Sequence, residues 1–402
     1  MSRPIMPASP RSTIGVFGGG QLGRMMAMAA REMGFRVRAV DPDGGCAARF
    51  VVVELIVAPL DDVDAAELLA RASAVGTLEI ERVSTAGLER ARERVPVRPS
   101  AGVLEIIQDR AKQKNFLTRA GLPVGPFRVA DTAEELAEHV AALGGKTFVK
   151  VAFGGYDGRG QYETSAVADA AAAARELGLG PGKRVRCVVE RALDIEAELS
   201  VMVARRPSGE VAVYPPALNH HVARILSWSV LPAPIEPRLS ARAVEIARTI
   251  ASALDVEGLL CVELFVVGGE LLVNELAPRP HNSYHASVVA SATSQFEQHV
   301  RAVCDLPLGS TEIVRPAAIA NILGDAWLTR RDDASGEPAE RAKSSRPPPF
   351  DRVLALPGVR LHLYGKSTAR PGRKMGHISA SAATPEEAIA LVQRASALLE
   401  SS

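Results

Sequence analysis

The sequence carries no excess of charge of one sign, no paired cysteines and no long apolar run, and each absence removes a class of protein. Lys plus Arg number 47 and Asp plus Glu 46, a formal net charge of +1. Nothing at the whole-chain level therefore attracts nucleic acid or another polyanion. Cys46, Cys187, Cys261 and Cys304 are the only cysteines, and no two form a CxxC pair. They read as reduced, mostly buried thiols of a cytoplasmic protein. No apolar segment approaches the ~18–20 residues that cross a bilayer. Met1 to Thr13 contains prolines and arginines but lacks the apolar core of a signal peptide, so it reads as a loose tail. There is no internal repeat.

Hydrophobic residues are abundant, at 47% of 402 residues, enough for two or three domains with cores of their own. Residues 13–17 (TIGVF) predict a buried strand, Gln21 to Met33 a helix, and 36–40 a second strand ending at Asp41. Alternating strand and helix up to about residue 108 predicts a βαβ series on a parallel sheet. Asp109 to Ala120 reads as a helix closed by Gly121 and Pro123. Thr132 and Glu135 form a capping box for a helix reaching Leu143. Strands are expected at 147–151, 184–190, 196–204 and 211–214, and a helix at 240–254. A hairpin over 259–267 and 271–276 turns at Gly268-Gly269. This second unit reads as antiparallel α+β. Residues 329–350 are charged and end in three prolines, the composition of a solvated insertion. Strands near 359–363 and 376–380 and a helix capped by Thr384 and Glu387 close the chain.

Two constellations carry chemistry. Lys150 ends a short apolar strand four residues before the glycine-rich run Gly154 to Gln161, and Glu263, Asn274 and Glu275 stand about a hundred residues on. Glycine lets main-chain N–H groups approach phosphate oxygens, lysine adds positive charge, and carboxylates hold magnesium against phosphates. ATP with magnesium is the ligand this set suits. Glu263 lies in the apolar run CVELFVV, where a lone carboxylate is costly unless paired or metal-bound. An ion pair with Arg279 is the competing account. At the front, Gly18, Gly20 and Gly23 form GxGxxG between a strand and a helix, followed by Asp41. The pattern admits a dinucleotide, a substrate phosphate on the helix N-terminus, or tight packing without a ligand.

Four segments in order, GGGQLGRM (18–25), GGYDGRGQ (154–161), NELAPRPHNSYH (274–285) and RPGRKMGH (370–377), resemble the N5-carboxyaminoimidazole ribonucleotide synthases of the ATP-grasp superfamily. The resemblance runs from about residue 13 to 400. It implies a mixed α/β and α+β fold. A Rossmann-like N-terminal domain would span 13–108, a two-lobed ATP-grasp domain 109–310, and a small β-rich C-terminal domain 311–402. It also implies the carboxylation of 5-aminoimidazole ribonucleotide with bicarbonate and ATP, with magnesium as cofactor and a homodimer as the working assembly.

Carried onto matching positions, the resemblance assigns Lys150, Asp157 and Arg159 to catalysis. It assigns Arg110, Lys150, Gly155, Tyr156, Asp157, Gly158, Arg159, Gly160 and Gln161 to the nucleotide phosphates and their loop. Glu190, Arg191, Ala192 and Leu193 would border adenine, Glu198 the ribose, and His221 and Asn274 the nucleotide. Glu263 and Glu275 would hold magnesium. Gln21, Leu22, Tyr156, Asp157, Arg159, His281, Asn282, Lys366 and Arg373 would hold the imidazole nucleotide. His220 reads as filler, and a zinc pair of His281 with His285 lacks further ligands. The sequence departs from the family at Arg224, where a glycine is usual, at Arg82 in place of asparagine, and in the apolar run Phe50 to Val53. A formate-dependent glycinamide ribonucleotide transformylase shares the architecture, and a NAD(P)-dependent oxidoreductase would rest on Gly18, Gly20 and Gly23 alone.

Overall fold

The computed structural model describes residues 4–8, 12–155, 160–179, 185–328 and 347–400. Three sheets organise them. The first is parallel and contains β1 (Thr13–Phe17), β2 (Arg36–Asp41), β3 (Glu54–Val57) and β4 (Val75–Leu78) in the order β3-β2-β1-β4. Helices cover both faces, so β1 is buried along its whole length, as expected of a doubly covered parallel strand. Strand–helix alternation stops at β4; helices Thr85–Arg92 and Ala101–Gln108 follow with no strand between them. One face of this sheet packs on helix Gln295–Val303, through Phe296, Val300 and Val303 against Ile14, Val16 and Val37. The expected loose tail is tied down where it is described: the Ile5 N–H donates to Cys304 O at 2.9 Å.

The second sheet is antiparallel: β5 (Phe127–Ala130), β6 (Thr147–Val151), β7 (Gln161–Thr164) and β8 (Cys187–Arg191), in the order β5-β8-β6-β7. Helices Ala133–Leu143 and Ala170–Leu177 cover one face. Thr132 caps the first of these by accepting from the Glu135 N–H at 3.1 Å, while Glu135 reaches back to the N–H of Asp131. The reciprocal bond of the expected capping box is thus displaced by one residue.

The third sheet has nine strands: β9 (Ala197–Arg205), β10 (Val211–Val213), β11 (Ala217–Val222), β12 (Ile225–Leu231), β13 (Gly258–Val267), β14 (Glu270–Ala277), β15 (Ala317–Leu323), β16 (Val359–Leu363) and β17 (Lys374–Ser381). Its order is β14-β13-β9-β11-β12-β15-β17-β16, with β10 on β9. Leu199, Val201 and Val203 face helix Pro237–Ala253, while Met202 and Ala204 face Tyr214, Tyr284 and Ile319. Burial on both faces is why β9 reads as an uninterrupted apolar run. Helix Pro385–Glu400 covers β12, β15 and β17. The C-terminal strands therefore continue the sheet of the central unit, through the β12–β15 ladder that pairs Trp228 with Ala320. Most of the expected insertion, residues 329–346, lies outside the described residues. Its end, Phe350, begins the short helix Phe350–Leu354 and packs edge-on against Trp327 at 5.6 Å.

Candidate active site

The acids predicted from the apolar strands come together on one face of the third sheet. Glu263 of β13 stands opposite Glu275 of β14, and Glu198 of β9 lies two residues from Ser200, the partner of Glu263 on its other side. Period-2 alternation puts these carboxylates on one face. Two bulges complete the set. The β13–β14 register shifts between Glu263 and Leu264. Such an extra residue bends the strand and re-aims side chains, and Asn274, next to Glu275, donates from Nδ2 to Glu263 Oε2 at 3.2 Å. The β11–β12 register shifts between His220 and His221. His221 Nδ1 lies 2.8 Å from Glu198 Oε2, whereas His220 stacks on Trp228 at 5.1 Å. His220 is thus outside the cluster, as the sequence suggested, but β11 and β12 are strands in a stretch to which the sequence reading assigned no element.

Charge is unbalanced here. Burial, and then the neighbouring Glu275, push the Glu263 carboxyl up to about 7, against the opposing effect of His221. Burial works against a charged His221, but the hydrogen bond and charge of Glu198, with Glu263 beyond, hold its pKa above the ordinary histidine value. His281 Nε2 lies 3.2 Å from Glu263 Oε1, and burial holds this imidazole far below its usual pKa. Arg279 does not pair with Glu263; its Nε lies 2.8 Å from Glu81 Oε1. The competing ion-pair account of Glu263 therefore falls.

Across a cleft stands the second sheet. Lys150, on β6, is no strand-end lysine in water: its side chain is 18% exposed and its Nζ lies 2.5 Å from Glu190 Oε2. Lys114, which no sequence motif marked, lies 2.9 Å from Glu190 Oε1. The two ammonium groups outweigh burial and bring the Glu190 carboxyl down to about 2. The cleft encloses about 280 Å³, counting space open to solvent. It is lined by Gly125, Pro126, Leu193, Phe265, Leu272 and Val273 with Lys114, Glu190, Arg191 and Asn274. Apolar walls with a few polar groups suit a flat heterocycle. The N–H groups of Arg191 and Ala192 are already given to Pro126 O and Lys146 O, so these two residues offer carbonyl oxygens rather than N–H groups to a ring edge.

Arg110 connects the lobes. Its guanidinium lies 3.4 Å from Gly155 O and 3.6 Å from Glu275 Oε1. Gly160 has φ +71, and a Cβ there would meet Val151 Cγ2 at 2.6 Å, so only glycine closes this loop onto β6. Gln161 begins β7 opposite Lys150. Tyr156, Asp157, Gly158 and Arg159 lie outside the described residues.

A third cluster joins the two ends of the chain. Gln21 donates from Nε2 to Asn282 Oδ1 at 2.9 Å and accepts from Lys366 Nζ at 3.0 Å. Burial, and then the charge of Arg373, lower the Lys366 pKa to about 8; Arg373 itself donates to Thr368 O. The Leu22 side chain is buried in the first core, leaving only its main chain to a ligand. The glycine motif is largely occupied. Gly19 N donates to Asp41 Oδ2 at 2.7 Å, Gly20 N to Glu79 Oε1 at 2.7 Å and Gly23 N to Glu79 Oε2 at 2.8 Å. A Cβ on Gly18 or Gly20 would meet Glu79 at 2.5 or 2.4 Å. Two protein carboxylates thus fill the seat that a dinucleotide pyrophosphate takes, and the oxidoreductase reading loses its one support. Of the first-turn N–H groups, those of Gln21 and Leu22 remain for a phosphate.

Family models match successive stretches of the chain. A ribonucleotide synthetase preATP-grasp domain matches residues 11–108, an ATP-grasp domain 115–296, and a phosphoribosylaminoimidazole carboxylase C-terminal domain 317–391. The N5-carboxyaminoimidazole ribonucleotide synthase of Brucella melitensis is 39% identical over 371 residues, which are 92% of this chain and 96% of that one. The synthase of Bacillus subtilis is 37% identical over 382 residues, 94% and 93% of the two chains. The chain belongs to the N5-carboxyaminoimidazole ribonucleotide synthase family. Solved synthase structures agree. An ADP complex of a synthetase superposes with TM-score 0.87 at 38% identity over 98% of both chains. The Aspergillus clavatus synthase, in complex with ADP and 5-aminoimidazole ribonucleotide, superposes at 0.83 with 30% identity over 97% and 99%. Within this synthase fold the sequence reading missed Lys114 and Glu79. Spacing marks Lys114, four residues after Arg110 on the same helix face; nothing local marks Glu79.

Proposed function

We propose that the chain uses ATP to join bicarbonate to the exocyclic amine of 5-aminoimidazole ribonucleotide, releasing ADP and phosphate, in purine synthesis. One observation carries this reading. His281 and Asn282 are consecutive; His281 touches Glu263, and Asn282 touches Gln21, which accepts from Lys366. A single dipeptide thus adjoins both the acidic pair suited to a metal–nucleotide and the cationic pocket suited to a ribonucleotide phosphate.

Magnesium fits the residues present. Glu263 and Glu275 face each other, with the Arg110 guanidinium 3.6 Å from Glu275. Burial and the facing Glu275 raise the Glu263 pKa, and a cation held between the two carboxylates would oppose both effects. Among the described residues no three metal-ligating groups converge. That suits magnesium, which takes one or two carboxylates and completes its shell with phosphates and water. Bound there, the ion would neutralise charge on the β- and γ-phosphates.

The chain's own groups do the rest. Bicarbonate cannot acylate an amine directly because hydroxide is a poor leaving group. Its oxygen attacks the γ-phosphorus, the bond to the β-phosphate oxygen breaks, and carboxyphosphate and ADP result. Lys150 and Arg110 offset the charge that develops on the transferred group. The amine then attacks the carboxyl carbon, phosphate leaves, and Asp157 takes the proton. Neutral His281 orients Glu263 without adding charge. Lys366, Arg373 and the N–H groups of Gln21 and Leu22 grip the 5′-phosphate. The Gly154–Gly160 loop shields carboxyphosphate from water.

ADP release measured with ATP, magnesium and bicarbonate should require 5-aminoimidazole ribonucleotide. Release with glycinamide ribonucleotide and formate instead would overturn the reading in favour of the transformylase. Asp157→Asn should bind ATP yet not carboxylate. The proposal includes a homodimer, tested by sedimentation.

A further inference from the structure

Two lysines share one carboxylate at the wall of the nucleotide cleft. The Lys114 side chain is 8% exposed and that of Glu190 15%, with Lys114 Nζ 2.9 Å from Oε1 and Lys150 Nζ 2.5 Å from Oε2. Lys114 Nζ also lies 5.6 Å from the centre of the Phe127 ring, over its face. One lysine is enough to neutralise Glu190, so the second cation asks for a reason. We propose that Lys114 is a positioning residue that keeps Glu190 paired while Lys150 turns from Glu190 to the phosphates of the nucleotide.

The physical argument is a comparison of two states. In the structure both lysines satisfy Glu190. When a nucleotide binds, Lys150, opposite Gln161 at the start of β7 where the glycine loop ends, must release Glu190 to reach phosphate. Stripping a buried carboxylate of its sole partner is strongly unfavourable, and that cost would weaken nucleotide binding. With Lys114 in place one of the two pairs survives the exchange. Lys114 is suited to staying behind. It comes from the middle of helix Arg110–Arg119, one turn after Arg110, and is fixed by burial and by Phe127. Lys150 sits on a strand end beside the loop and is the more exposed of the two, at 18%.

The inference rests on the ATP reading, and ADP affinity without the imidazole nucleotide tests the two separately. If the wild-type chain binds no ADP by calorimetry, the ATP reading fails first. If it binds, Lys114→Met should weaken ADP at least tenfold and raise the KM for ATP in step. The KM for 5-aminoimidazole ribonucleotide should stay within threefold, and Lys114→Arg should recover most of the loss. The decisive comparison is made in a Glu190→Gln background, where no lone carboxylate can be created. There Lys114→Met should change ADP affinity by less than twofold. This double variant also serves if Lys114→Met alone fails to fold, since it buries no unpaired charge. A tenfold loss in that background would mean that Lys114 acts independently of Glu190, and would overturn the proposal. So would a Lys114→Met variant with unchanged ADP affinity.

Discussion

Glu263 and Glu275 stand directly opposite each other on neighbouring antiparallel strands. Like charges in that position destabilise a sheet, and the Glu263 carboxyl responds by rising to about 7, through burial first and Glu275 second. The native state therefore holds a proton that the unfolded chain has lost between about pH 4.5 and 7, so stability falls as pH rises through that window. Above pH 7 the penalty is on the order of 3 kcal/mol. Glu263→Gln should raise the melting temperature at pH 8 in the absence of magnesium and nucleotide, and should abolish magnesium-dependent ADP release. Glu275→Gln should lose activity likewise. A Glu263→Gln variant that melts lower at pH 8 than the wild type would remove the electrostatic account.

The Glu79 carboxylate receives the N–H groups of Gly20 and Gly23. Glu79→Ala strips the buried Gly23 N–H and the part-buried Gly20 N–H of their acceptor, the buried loss amounting to roughly 1–3 kcal/mol and the other to less. The variant should unfold at lower urea concentration with little change in m-value. It should still not bind NADH, because Asp41 continues to hold Gly19. Tight NADH binding to the wild-type chain in a fluorescence titration would contradict the occupied glycine motif.

Arg224 departs from the family's glycine, and the structure places it in the turn between β11 and β12 with φ +67, after Ala223 at +49. Both residues occupy the left-handed region that side chains resist. Arg224→Gly should relieve about 1 kcal/mol of strain and shift the urea midpoint upward, leaving KM for ATP within twofold. A lowered midpoint would show that the Arg224 side chain makes a compensating contact.

The acids of the site were legible because each interrupts an apolar strand: Glu263 within CVELFVV, Asn274-Glu275 at the end of ELLVNELA. The bulges that aim Asn274 and His221 were not, since one extra residue in a strand leaves no trace in alternation until the partner strand is known. Strands β11 and β12 were missed for a related reason. Their polar residues, Asn219 and Ser229, are buried and bonded to each other at 2.9 Å, and buried polar residues read as loop. Glu79 lies 56 residues from Gly23, and nothing local reports a partner so remote. The join of β12 to β15 likewise depends on packing across 86 residues of sequence, from Leu231 to Ala317, where a domain boundary had been expected near 310.

Four histidines, three of them fully buried and His281 partly so, set the acid limit of the fold. Burial lowers His285 and His299 to about 3 and holds His281 and His377 well below the ordinary value. His377 is stacked between His285 at 4.6 Å and His362 at 4.5 Å, with Tyr364 Oη 2.8 Å from its Nδ1. The stack leaves no room for an added charge. The unfolded chain protonates all four below about pH 6.5 while the native state does not, so the histidine contribution is complete above that pH and falls as acid is added, offset in part by the proton that native Glu263 holds there. At pH 5.5 each group contributes roughly 1.4 kcal/mol of loss, and four together approach the whole stability of an ordinary domain, about 5–15 kcal/mol. Urea unfolding at pH 7.5 and 5.5 should show this loss. His299→Gln, which keeps a side-chain partner for Thr77 in place of the 2.8 Å contact to His299 Nε2, should reduce the slope of stability with pH by about one proton. A slope unchanged in that variant would mean that His299 is not among the groups that titrate on unfolding.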